Sequence, residues 1–323
     1  ILAPLNAFAA ASSSSSSTSS ASSSTTNTTA GGEDSVQRIK EKGTLVVGTS
    51  ADYPPYEFTT KKNGKTEYVG FEMDVARQFA KDLGVKLVIK NMDFDSLLVA
   101  LESHKVDTVI AGMNITPERK KSVDFSKPYY TGHKYFLINK ADKNKYKSVK
   151  DFAGQKVGAQ NGATEYNLVK ENIPNVQEKG LAKISSLVLA LQSHKVNGVL
   201  MDEATAKAYA NNNSNLITFN SHIKIQSGGI AMAFPKGDTS LEAAANQTVA
   251  KINKEDLINK KWIPQASQYM KSYKKHNTVA SYWTFFAKGV EYTLIITVIS
   301  VVFGFLLGTL FALMRLSQNK LLH

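Results

Sequence analysis

Two side chains of opposite charge stand where ligand chemistry is possible. Arg119 closes the run Ile115–Arg119 (ITPER), and its planar guanidinium can grip a carboxylate through two parallel hydrogen bonds. The same run also reads as the opening turn of a helix, with Arg119 as an ordinary surface residue. Asp202 follows the apolar run Val199–Met201, where an unpaired carboxylate would be costly. It suits an ammonium, or the N-cap of a helix that begins at Glu203, or both. A fixed cation and a fixed anion are what a zwitterion requires. Other chemistry is poorly supplied. There is no cysteine, which excludes disulfides, thiol catalysis and cysteine-based zinc sites. No acid/base set, metal-spaced cluster or cofactor motif stands out, so no enzyme activity, metal or cofactor is expected. A nucleotide-binding Gly-rich lysine motif is missing as well, so any ATPase must be another subunit.

Alternating elements must hold these groups. Leu45–Val47 reads as a short buried strand ending in Gly48, and Phe71–Leu83 as an amphipathic helix stopped by Gly84. Val85–Ile89 is a strand, Phe94–Glu102 a helix, and Val106–Ala111 a strand closing on Gly112. Such alternation implies parallel βαβ units and an α/β fold. An internal echo sharpens this: Ser96–Val109 (SLLVALESHKVDTV) recurs as Ser186–Val199 (SLVLALQSHKVNGV), offset by 90 residues. The same offset pairs Gly112 with Asp202, each just beyond the carboxyl end of a strand, where open α/β sheets bind ligands. Two such units facing each other make a cleft between two similar lobes. His104 and His194 occupy equivalent places near helix C-termini and are read as structural.

The 323 residues leave room for two domains once the flexible start is set aside, and the formal charge is +12. Lysines are spread along the chain without interleaved stacking aromatics, so the charge reads as a solvated basic surface and not as a nucleic-acid interface. Residues 1–11 resemble the tail of a secretory signal, apolar and closing on small residues, which makes the chain a fragment. Residues 12–34 read as a Ser/Thr-rich disordered linker, and 35–275 as the globular domain. In the segment 281–323, Tyr292–Met314 is uncharged and, at 23 residues, long enough to cross a bilayer. Gly304 and Gly308 are spaced for close packing against partner helices, a spacing that the ordinary glycine content of membrane helices supplies equally well. The signal-like start places the domain outside the cell, and the helix then runs inward.

Residues 43–238 resemble the polar-amino-acid family of bacterial solute-binding proteins. The resemblance is carried by Gly48–Phe58 (GTSADYPPYEF), Val69–Gly84 (VGFEMDVARQFAKDLG), Asn91–Leu101 (NMDFDSLLVAL), Ala111–Tyr130 (AGMNITPERKKSVDFSKPYY) and Gly229–Gly237 (GIAMAFPKG). Tyr282–Leu321 resembles the first span of the amino-acid ABC permeases of the His/Glu/Gln/Arg type that partner such binders. The resemblance implies a periplasmic-binding-protein-like, two-lobe clamp of type II, followed by one transmembrane helix of a truncated permease. Lobe one would hold about 40–130 and 228–275, and lobe two about 134–224. The implied partners are an amino acid, the missing helices of a permease dimer, the membrane and a cytoplasmic ABC ATPase.

Transferred residue by residue, the resemblance puts the ligand carboxylate on Arg119 and on the backbone N–H of Thr164, and the ammonium on Asp202. Gly112 and Asn114 would add backbone and side-chain hydrogen bonds, while Tyr53 and Phe94 enclose the ligand stem. Two positions depart from the family pattern. Ser50 stands where an acid is frequent, with Asp52 two residues on, and Gln160 stands where lysine can occur. Uncharged polar groups there suit a neutral polar side chain, so glutamine or asparagine is favoured over a cationic amino acid or cystine. The competing reading is the ligand-sensing ectodomain of a membrane receptor, since the same clamp precedes membrane helices in sensors.

Overall fold

The computed structural model describes residues 34–62, 64–225, 228–276 and 283–316. The signal-like start and the linker up to residue 33 lie outside the described residues. In chain order the strands are β1 (Thr44–Thr49), β2 (Asp52–Tyr53), β3 (Glu57–Lys62), β4 (Lys65–Val69), β5 (Lys86–Asn91), β6 (Thr108–Val109), β7 (Val123–Phe125), β8 (Lys134–Asn139), β9 (Lys156–Gln160), β10 (Gln177–Leu181), β11 (Gly198–Asp202), β12 (Leu216–Asn220) and β13 (Ala233–Pro235). The helices are α1 (Ser35–Lys42), α2 (Phe71–Leu83), α3 (Leu97–Glu102), α4 (Arg119–Ser122), α5 (Thr164–Asn172), α6 (Ile184–Gln192), α7 (Glu203–Asn212), α8 (Thr239–Glu255), α9 (Ile263–His276) and α10 (Trp283–Leu316).

Two five-stranded sheets share one plan. The first runs β5-β1-β6-β13-β7, with β1 parallel to both β5 and β6 and β13 antiparallel to its neighbours. The second runs β10-β9-β11-β8-β12, with β9 parallel to β10 and β11 and β8 antiparallel to its neighbours. The chain leaves the first sheet after β7, builds the second, and returns after β12. The outgoing and returning segments touch through a bridge between Tyr130 and Ile230. The molecule is therefore a mixed α/β protein of two lobes joined by two crossings, with a β2-β3-β4 ribbon on the first lobe.

Local sequence explains the elements. In α2 the buried stripe Phe71, Val75, Ala76, Phe79 and Leu83 faces the first sheet, and Gly84 ends the helix in the left-handed conformation. The stretch expected as one helix over Phe94–Glu102 is a 3₁₀ turn, Phe94–Ser96, followed by α3. The strand expected over Val106–Ala111 is laddered only at Thr108–Val109, because the chain turns into the cleft at Gly112, φ +60°. The repeat is reproduced bond for bond at its helix ends. Lys105 N–H reaches Ala100 O at 2.9 Å and Lys195 N–H reaches Ala190 O at 2.8 Å. Between them His104 and His194 adopt φ of 54° and 56°, so their structural role is a left-handed helix closure.

Gly70, at the start of α2, has φ +119°, and a Cβ there would lie 2.1 Å from the carbonyl oxygen of Tyr56. Gly70→Ala is expected to cost about 3 kcal/mol of stability, read as a lowered midpoint in denaturant unfolding. An unchanged midpoint would contradict this packing. Beyond the lobes, α10 extends the apolar run Tyr292–Met314 back to Trp283, and its large apolar side chains from Trp283 to Leu313 are exposed.

Candidate functional site

The carboxyl ends of β1, β6, β9 and β11 converge between the lobes on a narrow cavity. All nine residues expected from the sequence line it: Ser50, Tyr53, Phe94, Gly112, Asn114 and Arg119 from the first lobe, Gln160, Thr164 and Asp202 from the second. Ala111, Glu57, Ala163, Glu165, Ile184 and Leu200 complete the wall.

Arg119 opens α4, and its backbone N–H is received by the Thr116 hydroxyl at 3.2 Å, so the helix-start reading and the cleft-facing reading hold together. Its guanidinium donates to Asn114 O at 2.7 Å and across the cleft to Gly162 O at 2.9 Å, with its carbon 5.6 Å from the centre of the Phe94 ring. Burial lowers its pKa to about 10, which still leaves it charged at neutral pH. Thr164 is the first residue of α5, so its backbone N–H belongs to the unsatisfied first turn of that helix.

The alternative role of Asp202 as a side-chain N-cap is not realised, for its carboxylate makes no capping bond to α7. Oδ1 instead receives a hydrogen bond from the Lys134 ammonium at 2.6 Å. Oδ2 receives one from the Tyr53 hydroxyl at 3.1 Å, and that hydroxyl in turn accepts from the Asp202 N–H at 2.8 Å. Lys134 also donates to Glu165 at 2.6 Å and is only 1% exposed. Burial works against the ammonium, but the two carboxylates outweigh it and push its pKa up. Burial likewise raises both acids. Lys134 pulls Glu165 back below its ordinary value, whereas Asp202, repelled by Glu165, stays above. The triad carries a net charge of about −1.

Three details correct the sequence reading. The Gly112 N–H does not face the ligand space freely, because it donates to Glu72 Oε2 at 2.6 Å. Asp52 does not replace the acid missing at Ser50. It leaves the cavity and clasps the second lobe, accepting from Ser185 N–H and Oγ, each at 3.2 Å. The inference of an uncharged side-chain pocket omitted Glu57, which is 1% exposed and lines the cavity. Gln160, meanwhile, is tied down by its Nε2 donating to Ala182 O at 2.9 Å.

Burial pushes the Glu57 carboxyl well above the usual range, helped by its neighbour Glu72. Glu57, Lys134 and Glu165 are the functional candidates that motif reasoning missed. Lys134 had a signal, since a lysine at the head of the buried strand Lys134–Asn139 must find a carboxylate.

A model of the bacterial extracellular solute-binding proteins, family 3, matches residues 45–265. The chain belongs to that family. It is 35% identical over 227 residues to the arginine-binding extracellular protein ArtP of Bacillus subtilis, covering 68% of this chain and 86% of that one. It is 30% identical over 234 residues to the L-cystine-binding protein TcyJ of Escherichia coli K12, covering 71% and 86%. Among solved structures it is similar to an amino acid ABC transporter substrate-binding protein from Streptococcus pneumoniae bound to L-arginine. That match has a TM-score of 0.71 and 36% identity, and covers 73% of this chain and 98% of the other. The two-lobe architecture is thus that of the family 3 binders, the amino-acid-binding proteins of ABC importers.

Proposed function

We propose that this chain captures a cationic amino acid, arginine foremost, outside the cell membrane and delivers it to an ABC importer. The observation that carries the reading is Glu57, a buried acid in the cavity wall with no cationic partner among the described residues. The charges can be matched one by one. Arg119 and the first turn of α5, including the Thr164 N–H, receive the ligand carboxylate. The ligand ammonium neutralises the Lys134–Glu165–Asp202 triad. Asp202 has capacity for it, because a carboxylate accepts about four hydrogen bonds and Lys134 and Tyr53 use two. Tyr53 and Phe94 enclose the stem. The negative charge left over is that of Glu57 and its neighbour Glu72, which calls for a cation at the far end of the ligand and rejects a neutral amide. Relatives named for arginine, and the L-arginine complex of the Streptococcus pneumoniae protein, support the same choice over glutamine.

Because ligand groups come from both lobes, binding favours the closed arrangement through differential affinity. We read α10 as the first span of a fused permease, driven by a separate cytoplasmic ATPase, with the tether keeping the binder at high effective concentration. In Glu57→Gln, the ratio of L-arginine to L-glutamine affinity is expected to fall about 10- to 100-fold, measured by calorimetry on the full chain in detergent. A ratio unchanged within about twofold would sink the assignment of Glu57.

A further inference from the structure

Glu57 leads to a second acid that lies outside the cavity wall. Glu72, on α2, is 0% exposed and is held by two donors, the Tyr129 hydroxyl on Oε1 at 2.7 Å and the Gly112 N–H on Oε2 at 2.6 Å. Glu57 lies against it, and the Glu57 Oε2 atom is buried with no donor to receive from. Among the described residues no ammonium or guanidinium reaches either group. Lys134 is engaged by Glu165 and Asp202, and Arg119 by the carbonyls of Asn114 and Gly162. The other titratable groups around Glu57 are acids or phenols: Asp52 on β2, Tyr53 opposite Glu57 in the β2-β3 register, Asp202 on β11 and Tyr129 on the first crossing.

Two buried carboxylates in contact without a counter-cation cannot both be ionised. A proton between them turns the orphaned contact into a hydrogen bond. Glu72, with two firm donors, is the better anion, and Glu57 is the better acid. From this geometry we infer that Glu57 and Glu72 form a proton-sharing pair that exchanges its proton for the cationic side chain of the ligand. The pair is thereby a specificity device: the buried charge of the site stays constant when arginine enters, and a neutral ligand finds no charge to replace. Glu72 acts through Glu57 as a positioning residue.

The inference rests on the cationic-ligand reading above but fails separately from it. Arginine lowers the pKa of Glu57, so protons are released on binding. Affinity then rises with pH until the free pair is ionised and falls as pH drops below that point, by up to about tenfold per unit. The test is calorimetry of the full chain in detergent with L-arginine and its neutral isostere L-citrulline, in two buffers of unequal ionisation enthalpy. Near-stoichiometric proton release with arginine and none with citrulline is expected; the release should shrink in Glu72→Gln and disappear in Glu57→Gln. Tight arginine binding without proton release in the unaltered protein overturns the exchange while leaving the arginine reading intact. No arginine binding overturns both.

Discussion

Replacing Arg119 by alanine should weaken amino-acid binding by roughly 3–5 kcal/mol, two to four orders of magnitude in dissociation constant. The size follows from the asymmetry of buried charge. On the proposed reading the ligand carboxylate has Arg119 as its fixed cation, for Lys134 is already engaged by Asp202 and Glu165. Removing the guanidinium leaves the ligand anion desolvated with only backbone N–H donors. The fold should survive, because Arg119 lies at the half-buried start of a four-residue helix and its own side-chain bonds go to two loop carbonyls. Arg119→Lys should recover only part of the loss, since an ammonium cannot reproduce the bidentate fork. Calorimetry with L-arginine reads the effect, and a wild-type dissociation constant in Arg119→Ala would dismantle the site assignment.

Lys134→Met is expected to act on stability as strongly as Arg119→Ala acts on binding, again by roughly 3–5 kcal/mol. Two carboxylates would remain buried beside each other without their shared ammonium. Both would then hold protons more tightly folded than unfolded. Acids with raised folded pKa values are most favourable to the fold at low pH, and their contribution is lost as pH rises past the unfolded value. The variant should therefore be nearly normal in acid and progressively weaker towards neutral pH. Chemical denaturation at a series of pH values would show it, and a destabilisation independent of pH would contradict the ion-triad account.

The parts of this architecture that were legible share one property: their signals are local. The α2 helix was bounded correctly because an apolar stripe and a terminal Gly84 both fall within one stretch. The duplicated helix–strand unit announced two similar lobes, because identical residues solve the same helix-ending problem twice, down to the left-handed His104 and His194. The groups missed lie where partners are distant in sequence. Lys134 meets Glu165 and Asp202 across 31 and 68 residues, and the Asp52 clasp on Ser185 spans 133. Glu57 sits between Tyr56 and Phe58 in a run that reads as aromatic packing, and its significance appears only when β3 is laid against α2 and the cavity. That omission turned the expectation towards glutamine. The 3₁₀ turn at Phe94–Ser96 was hidden for a related reason, since a tightened first turn leaves the apolar period almost unchanged.

On the proposed reading the cleft between the lobes is built for an amino acid with a cationic side chain. The most direct measurement is a calorimetric titration of the full chain in detergent micelles, at neutral pH, with L-arginine and with L-glutamine. Tight binding of arginine, at least about tenfold stronger than glutamine, is the predicted result, equivalent to 1.4 kcal/mol or more of preference. Glutamine binding as tightly as arginine, or more so, would contradict it.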